Sequence, residues 1–293
     1  MRKYLQYLLI VLFPLVGNAQ DLSGVVDFHS HADPSIRPRS IDVLALAKLA
    51  KERGMRGVVM KNHTEPTGSI AYLIRKAVPG LEVFGGIVLN RAVGGINPAA
   101  VEEMIALEGH WGRVVWMPTF EAEYNVRRAG TKAPFVRTSV NGQLVPQVKE
   151  VLALVAKHEL TLATGHLAPE ESLLLIREAR EMGVERIIVT HAVTIDMTVP
   201  QMTAAADAGA LIEFVYGAIF ERTRGINIQQ YAAAIRAVGV ERCVLSSDLG
   251  QEGNPLHPEG FVAFFKALRE QGLTEAEITR MAKTNPAKLL GLQ

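Results

Sequence analysis

Gly24-Val25-Val26-Asp27-Phe28-His29-Ser30-His31 is the stretch that decides the fold. A short β-branched run ends in two histidines, where a doubly wound dinucleotide-binding sheet would carry a glycine-rich phosphate loop after its first strand. Seven further apolar runs follow: 57–60, 83–88, 113–117, 160–164, 186–190, 210–214 and 243–246. Continuous apolar runs of this length suit parallel strands covered on both faces. The helical stretches between them have readable ends. Ser40 is placed to cap a helix from Ile41 to Arg53 before Gly54, Pro98 opens one through Leu107, and Pro169 opens another that Gly183 ends. Proline near the start and glycine past the end is the expected asymmetry. Gly209, Gly239 and Gly272 stop later helices, and Thr274 with Glu277 forms a capping box for a last helix before Asn285-Pro286. Eight strands alternating with helices over about 270 residues predict an α/β fold, a (β/α)8 TIM barrel. The one long connection, Glu121 to Val145, follows the fourth strand, and long loops of this kind often shape an active site.

The chain has 293 residues, 48% of them hydrophobic, with 31 Lys and Arg against 30 Asp and Glu and a single cysteine, Cys243. Such a composition excludes disorder, and one cysteine excludes a disulfide framework or a cysteine-based metal site. The charge balance gives no case for nucleic acid as a partner. Residues 1–19 read as a cleavable signal peptide: Arg2 and Lys3 open it, Leu8 to Val16 is apolar but broken by Pro14, and Gly17-Asn18-Ala19 supplies small residues for cleavage. That apolar run is far short of the roughly 20 residues a spanning helix needs, so the mature form is expected to have no stable membrane span. With no cysteine following, a lipoprotein anchor is not expected. The expected mature domain, 20–293, is an exported barrel, periplasmic or secreted.

In a barrel of this kind the chemistry lies at the C-terminal ends of the strands. His29 and His31 end the first predicted strand, Lys61 and His63 the second, His166 the fifth, His191 the sixth and Asp248 the eighth, with Glu121 just past the fourth. Five of the eight histidines therefore share one face, while His110, His158 and His257 lie elsewhere. Residues two apart on a strand point the same way, so His29 and His31 both face the barrel mouth. Neutral imidazoles converging there with an aspartate make a site for a divalent cation. Zinc suits a His/Asp donor set best, with manganese, iron or nickel as alternatives. The loops carry Arg37 and Arg39 after the first strand and Arg127, Arg128, Lys132 and Arg137 after the fourth, candidates to clamp an anionic group. Tyr124, Tyr216 and Phe220 are candidate apolar walls.

The first strand Val26-Asp27-Phe28-His29-Ser30-His31, the later strand-end His166, His191 and Asp248, and the closing segment from Asn285 to Leu292 resemble the amidohydrolase superfamily. The likeness covers essentially the whole expected mature chain. Met60-Lys61-Asn62-His63, Trp116-Met117-Pro118-Thr119 and Ser247-Asp248-Leu249-Gly250-Gln251 are similar to an uncharacterised amidohydrolase-like group. The resemblance implies that His29, His31 and Asp248 hold one metal, and that His166 and His191 hold a second or flank a single one. Two-metal members of the superfamily usually bridge their ions with a carboxylated lysine on strand 4, which this sequence lacks. Glu121 from strand 4, or Lys61 carboxylated on strand 2, stand as alternatives, and metal count stays open between one and two.

The expected activity is metal-dependent hydrolysis of an amide, ester or lactone bond in a small, anionic substrate. The ion lowers the pKa of a bound water from about 15.7 towards 7, and Asp248 accepts its proton. His191, if not a ligand, is the alternative proton donor, and Lys61 a further catalytic or substrate-binding cation. His63, Arg37 and Arg128 are the candidate substrate-binding residues. Three rivals share the pattern: a PHP-type phosphoesterase, a metal-dependent decarboxylase or other lyase on the same barrel, and a non-catalytic exported binding protein. By analogy with other barrels a homo-oligomer is a candidate assembly.

Overall fold

The computed structural model describes residues 22–220 and 225–292; the expected signal peptide lies outside the described residues. Among the described residues ten strands occur in chain order: β1 (Val26–Ser30), β2 (Gly57–Met60), β3 (Glu82–Val88), β4 (Gly112–Trp116), β5 (Ser139–Val140), β6 (Gln143–Leu144), β7 (Thr161–Ala163), β8 (Arg186–Val189), β9 (Leu211–Val215) and β10 (Cys243–Ser246). Eight of them form one parallel sheet in the order β1-β2-β3-β4-β7-β8-β9-β10, while β5 and β6 pair as a separate antiparallel hairpin. With helices on the outside this is a (β/α)8 barrel. All eight predicted runs are barrel strands, within one or two residues at each end.

The side chains divide as a closed barrel requires. Val26, Phe28, Val59, Phe84, Val114, Trp116, Ala163, Ile188 and Val244 form one buried cluster, closed by Leu289 and Leu290 from the C-terminal helix. Their neighbours Val58, Val115, Leu162, Ile187 and Leu245 join the larger cluster that the outer helices cover. Alternation along each strand produces this division. β1 departs from it. Its register against β2 shifts between Asp27 and Ser30, so three steps on β1 match two on β2. Phe28 and His29, adjacent in sequence, consequently both lie 6.5 Å from the Trp116 ring. The bulge re-aims His29 towards the mouth while Phe28 stays in the interior layer.

β1 and β10 close the barrel through the residues of the expected site. Asp248 N donates to His29 O (2.7 Å) and His31 N to Leu249 O (3.0 Å). Two residues before His29 on the same strand, the Asp27 carboxylate accepts from Ser247 N (3.0 Å) and Ser247 Oγ (2.5 Å). The backbones approach so closely that a Cβ on Gly250 would lie 2.0 Å from His31 O, and Gly250 has φ 115°, so only glycine fits.

The helices are α1 (Val43–Glu52), α2 (Gly68–Ala77), α3 (Pro98–Ala106), α4 (Glu123–Arg128), α5 (Pro146–Lys157), α6 (Pro169–Glu181), α7 (Val199–Asp207), α8 (Ile228–Val238), α9 (His257–Glu270), α10 (Glu275–Thr279) and α11 (Asn285–Leu289). Three details differ from the sequence reading. Asp42, not Ser40, caps α1, its Oδ1 accepting from Leu44 N and Ala45 N; Ser40 N instead donates to Gly250 O, which holds the loop after β1 against the exit of β10. Asn285-Pro286 opens α11 rather than ending a helix, because a π-helical turn, Arg280–Thr284, links α10 to it and a proline in a first turn forfeits no intrahelical bond. The connection after β4 is not a bare loop: it carries α4 and the β5–β6 hairpin. Among the described residues no helix is long and apolar enough to cross a membrane.

Candidate metal centre and active site

Three donors meet at the junction of β1 and β10. His29 Nε2 and His31 Nε2 lie 3.2 and 3.1 Å from Asp248 Oδ1, and among the described residues His29, His31 and Asp248 are the group whose donor atoms all lie within 4.8 Å of one another. Each imidazole is oriented from behind. His31 Nδ1 donates to Lys61 O (3.0 Å), and His29 Nδ1 faces both oxygens of the buried Glu213 at 3.3 Å. With the Nδ1 side of each ring turned to an acceptor, both Nε2 atoms point at Asp248, the arrangement in which histidine can turn its lone pair to a metal once Nε2 carries no proton. Burial pushes the His31 imidazole down to about 3, against the opposing hydrogen bond with Asp248, which favours the neutral ligand form. Burial alone would raise the Asp248 carboxyl, but His29 and the hydrogen bond from His31 outweigh it and hold the group well below its ordinary value. Two imidazoles and a carboxylate converging in a buried recess fit a divalent cation.

The backbone at these strand ends is forced. Asp248 has φ 47° and His191 φ 27°, both in the left-handed region, where non-glycine residues concentrate at functional sites. Asp27 and Glu213 are the supports. Glu213 Oε2 also accepts from His191 N (2.9 Å), so one carboxylate sets both His29 and the turn carrying His191. Burial lifts Asp27 to about 7 despite its hydrogen bonds from Ser247. Neither acid stood out among the candidates, yet each interrupts an apolar run, and an acid inside such a strand is the signal that finds them.

Lys61 reaches the same recess. Its Nζ lies 3.0 Å from His29 Nε2 and 5.5 Å from the centre of the Trp116 ring. Burial lowers it to about 8, with Asp248 and Glu213 acting in the opposite direction. On the far side of the mouth His191 and His166 lie 4.7 Å apart, ring centre to ring centre, with His191 stacked 5.7 Å from His29. The Thr194 hydroxyl bonds His191 Nδ1. Burial, reinforced by His191, pushes His166 well below its ordinary value, and burial takes His191 down to about 4. His63 stacks between His31 (4.9 Å) and Phe120 (4.1 Å). Its Nδ1 lies 2.9 Å from Thr119 Oγ1, a hydroxyl held in turn by Asn90.

These residues open into a cavity of about 430 Å³, lined by His31, Lys61, His63, His166, His191 and Asp248 together with Arg37, Arg39, Arg128, Phe120, Ile195 and Glu252. Its size suits a small molecule. Several expected residues stand elsewhere. Glu121 does not reach the cluster: Oε2 accepts from Arg91 N (2.7 Å) and Oε1 lies 3.7 Å from the Arg91 guanidinium. Arg127 and Arg137 pair with Glu123 outside the cavity. Lys132 is exposed away from the lining. Tyr124 bonds Asp196, and Tyr216 and Phe220 pack on each other rather than on the cavity. Phe120 and Ile195 form the apolar wall instead.

The barrel superposes on solved structures of enzymes. Organophosphorus hydrolase from Deinococcus radiodurans superposes with a TM-score of 0.61 at 16% identity, over 93% of this chain and 93% of that one. An amidohydrolase from Pseudomonas aeruginosa superposes with 0.62 at 13% identity, over 92% and 97%. An organophosphate-hydrolysing enzyme engineered from a weak promiscuous lactonase template gives 0.56 at 16%, over 93% and 97%. At these identities the shared property is the fold. No curated protein matches the sequence. Over residues 24–213 the chain matches, and so belongs to, the family described as "Family of unknown function (DUF6282)".

Proposed function

We infer that the protein is a metal-dependent hydrolase that cleaves an amide, ester or lactone bond in a small anionic substrate. The observation that carries this reading is the junction of His29, His31 and Asp248 beside a cavity that His31 and Asp248 line. A divalent ion bound by these residues, zinc being the best match to the donors, supplies Lewis acidity that activates water and polarises the scissile group. The chain's own residues do the rest. Asp248 Oδ1 is engaged by both imidazoles, which leaves Oδ2 to accept the proton of the attacking water and return it to the leaving group. His191, on its strained turn, faces the same space as a second proton donor. Lys61 and His63 are set to orient the substrate, and the wall of Phe120 and Ile195 limits water around it. His166 and His191 flank the site. One ion is the reading best supported, because Glu121 is turned to Arg91 and Lys61 already contacts His29. Export follows from the reading of residues 1–19, and a chain expressed whole should be recovered from the periplasm or medium lacking them.

The names of the structural relatives favour one second reading, hydrolysis of a phosphorus ester, by the same residues. The test uses protein purified without chelator, elemental analysis, and a panel of small lactones, carboxylic esters, amides and phosphoesters with products identified. Hydrolysis that falls by about 10²–10⁴-fold in Asp248→Asn, the range of a lost general base, with an unchanged thermal melt, is the expected result. A metal-loaded protein that cleaves a C–C bond, or turns over nothing on the panel, would sink it.

A further inference from the structure

We propose that Arg37 and Arg39 form an oxyanion-recognition site at the rim of the cavity, so that the substrate carries a carboxylate or phosphate group apart from the bond that is cleaved. The proposal rests on the hydrolase reading and names the residues that hold the anionic end. Six charged side chains line the cavity: Arg37, Arg39, Lys61 and Arg128 against Asp248 and Glu252. They are not equivalent. Asp248 is committed to His29 and His31, and Lys61 Nζ sits deep beside His29. Arg128 is spent on Asp196 and on Thr194 O (2.9 Å), an arrangement that ties α4 to the loop after β8.

Arg37 and Arg39 differ from these. Among the described residues, no carboxylate lies within ion-pair distance of either guanidinium. Arg39 is half-buried, its Nε donating to Ser35 Oγ (3.3 Å), so its two terminal nitrogens remain to face the cavity. The Arg37 guanidinium carbon lies over Phe120, 4.0 Å from the ring centre, a contact that does not use its N–H groups. The loop bearing both is pinned: Ser40 N donates to Gly250 O, and Arg39 bridges Gln251, three residues beyond Asp248. Asp248 and Asp33 act on Arg39 only from beyond ion-pair distance, so its half-buried guanidinium gains from a ligand that completes its hydrogen bonds, and two arginines lining one cavity offer the N–H donors that an oxyanion takes. The segment that would read the anion is therefore fixed to the same strand end that carries Asp248.

The test is a binding measurement that needs no turnover. Succinate and inorganic phosphate are titrated calorimetrically into the full-length protein, with metal and after chelation, because an anion that binds only the ion disappears on chelation. Binding of at least one probe should survive chelation, and which one survives tells carboxylate from phosphate. Arg39→Met should weaken it roughly tenfold or more, the usual scale for a charge-assisted hydrogen bond, and Arg37→Met, at an exposed position that leaves the fold intact, several-fold. Arg127→Met, which removes the same charge outside the cavity, should leave it unchanged. Binding lost entirely on chelation, binding unaffected by Arg39→Met and Arg37→Met, or equal losses in Arg127→Met would each overturn the proposal. None of those results touches the hydrolase reading, which depends on Asp248 and turnover.

Discussion

The two halves of the barrel mouth carry the same residue type but are built differently. On the β1–β10 side, His29 and His31 each have a partner behind Nδ1 and a carboxylate oxygen in front of Nε2. On the β7–β8 side, His166 and His191 stand 4.7 Å apart without a carboxylate completing a donor cluster among the described residues. Imidazole count alone does not make a metal site; the orienting acceptor and the shared carboxylate do. The first half is a donor set that could hold a metal ion, and the second lines the cavity without such a set among the described residues.

The largest effect should come from breaking the first half. His29→Ala combined with His31→Ala removes two of three donors, and elemental analysis should find the metal gone. His166→Ala should keep it. Thermal melts sharpen the contrast: metal added at a hundredfold excess over its dissociation constant stabilises a folded site by about 2.7 kcal/mol, so the wild type and His166→Ala should gain in melting temperature and the double variant should not. Loss of metal from His166→Ala would put a second ligand shell on the far side and end the distinction.

A smaller effect is expected one layer out. Glu213→Gln keeps the size of the side chain but removes the charge that faces His29 Nδ1 and holds His191 N. Changes to such supports typically cost about 10–100-fold in metal affinity, so competition with a chromogenic chelator should show weaker binding with the stoichiometry unchanged. An affinity equal to the wild type's would mean that His29 is oriented by packing alone.

Why one half was legible and its supports were not follows from the residues themselves. Parallel strands are buried on both faces, so their apolar runs stand out, and strand-end histidines are conspicuous because nothing in a core asks for them. Glu213 and Asp27 were read as part of their strands, since one polar residue hardly disturbs an apolar run of five. The bulge in β1 has no signature in Val26-Asp27-Phe28-His29; it exists because β10 pulls the strand end inward through Asp248 N and His31 N. Past the end of β4, position along the chain does not settle which side chain faces the mouth. Phe120, which the sequence reading passed over, faces His63, whereas Glu121 beside it faces Arg91. Long-range closure and the local turn into α4 set these directions, and neither is encoded in spacing.

Glu121 is where the smallest effect is expected and where the comparison is most exposed. Its backbone carbonyl accepts from Val136 N (2.7 Å), so the residue anchors the segment between α4 and the β5–β6 hairpin. Its carboxylate receives Arg91 N, and its ion pair with the Arg91 guanidinium is open to solvent. Glu121→Gln retains an oxygen to accept from Arg91 N and loses only the charge, and a solvent-exposed pair contributes no more than about 1 kcal/mol. Metal per chain and kcat/KM should therefore match the wild type, with a small drop in the denaturation midpoint at most. A fall in metal content in this variant would mean that the side chain swings to the β7–β8 half when ions are present, converting that wall into a second coordination shell.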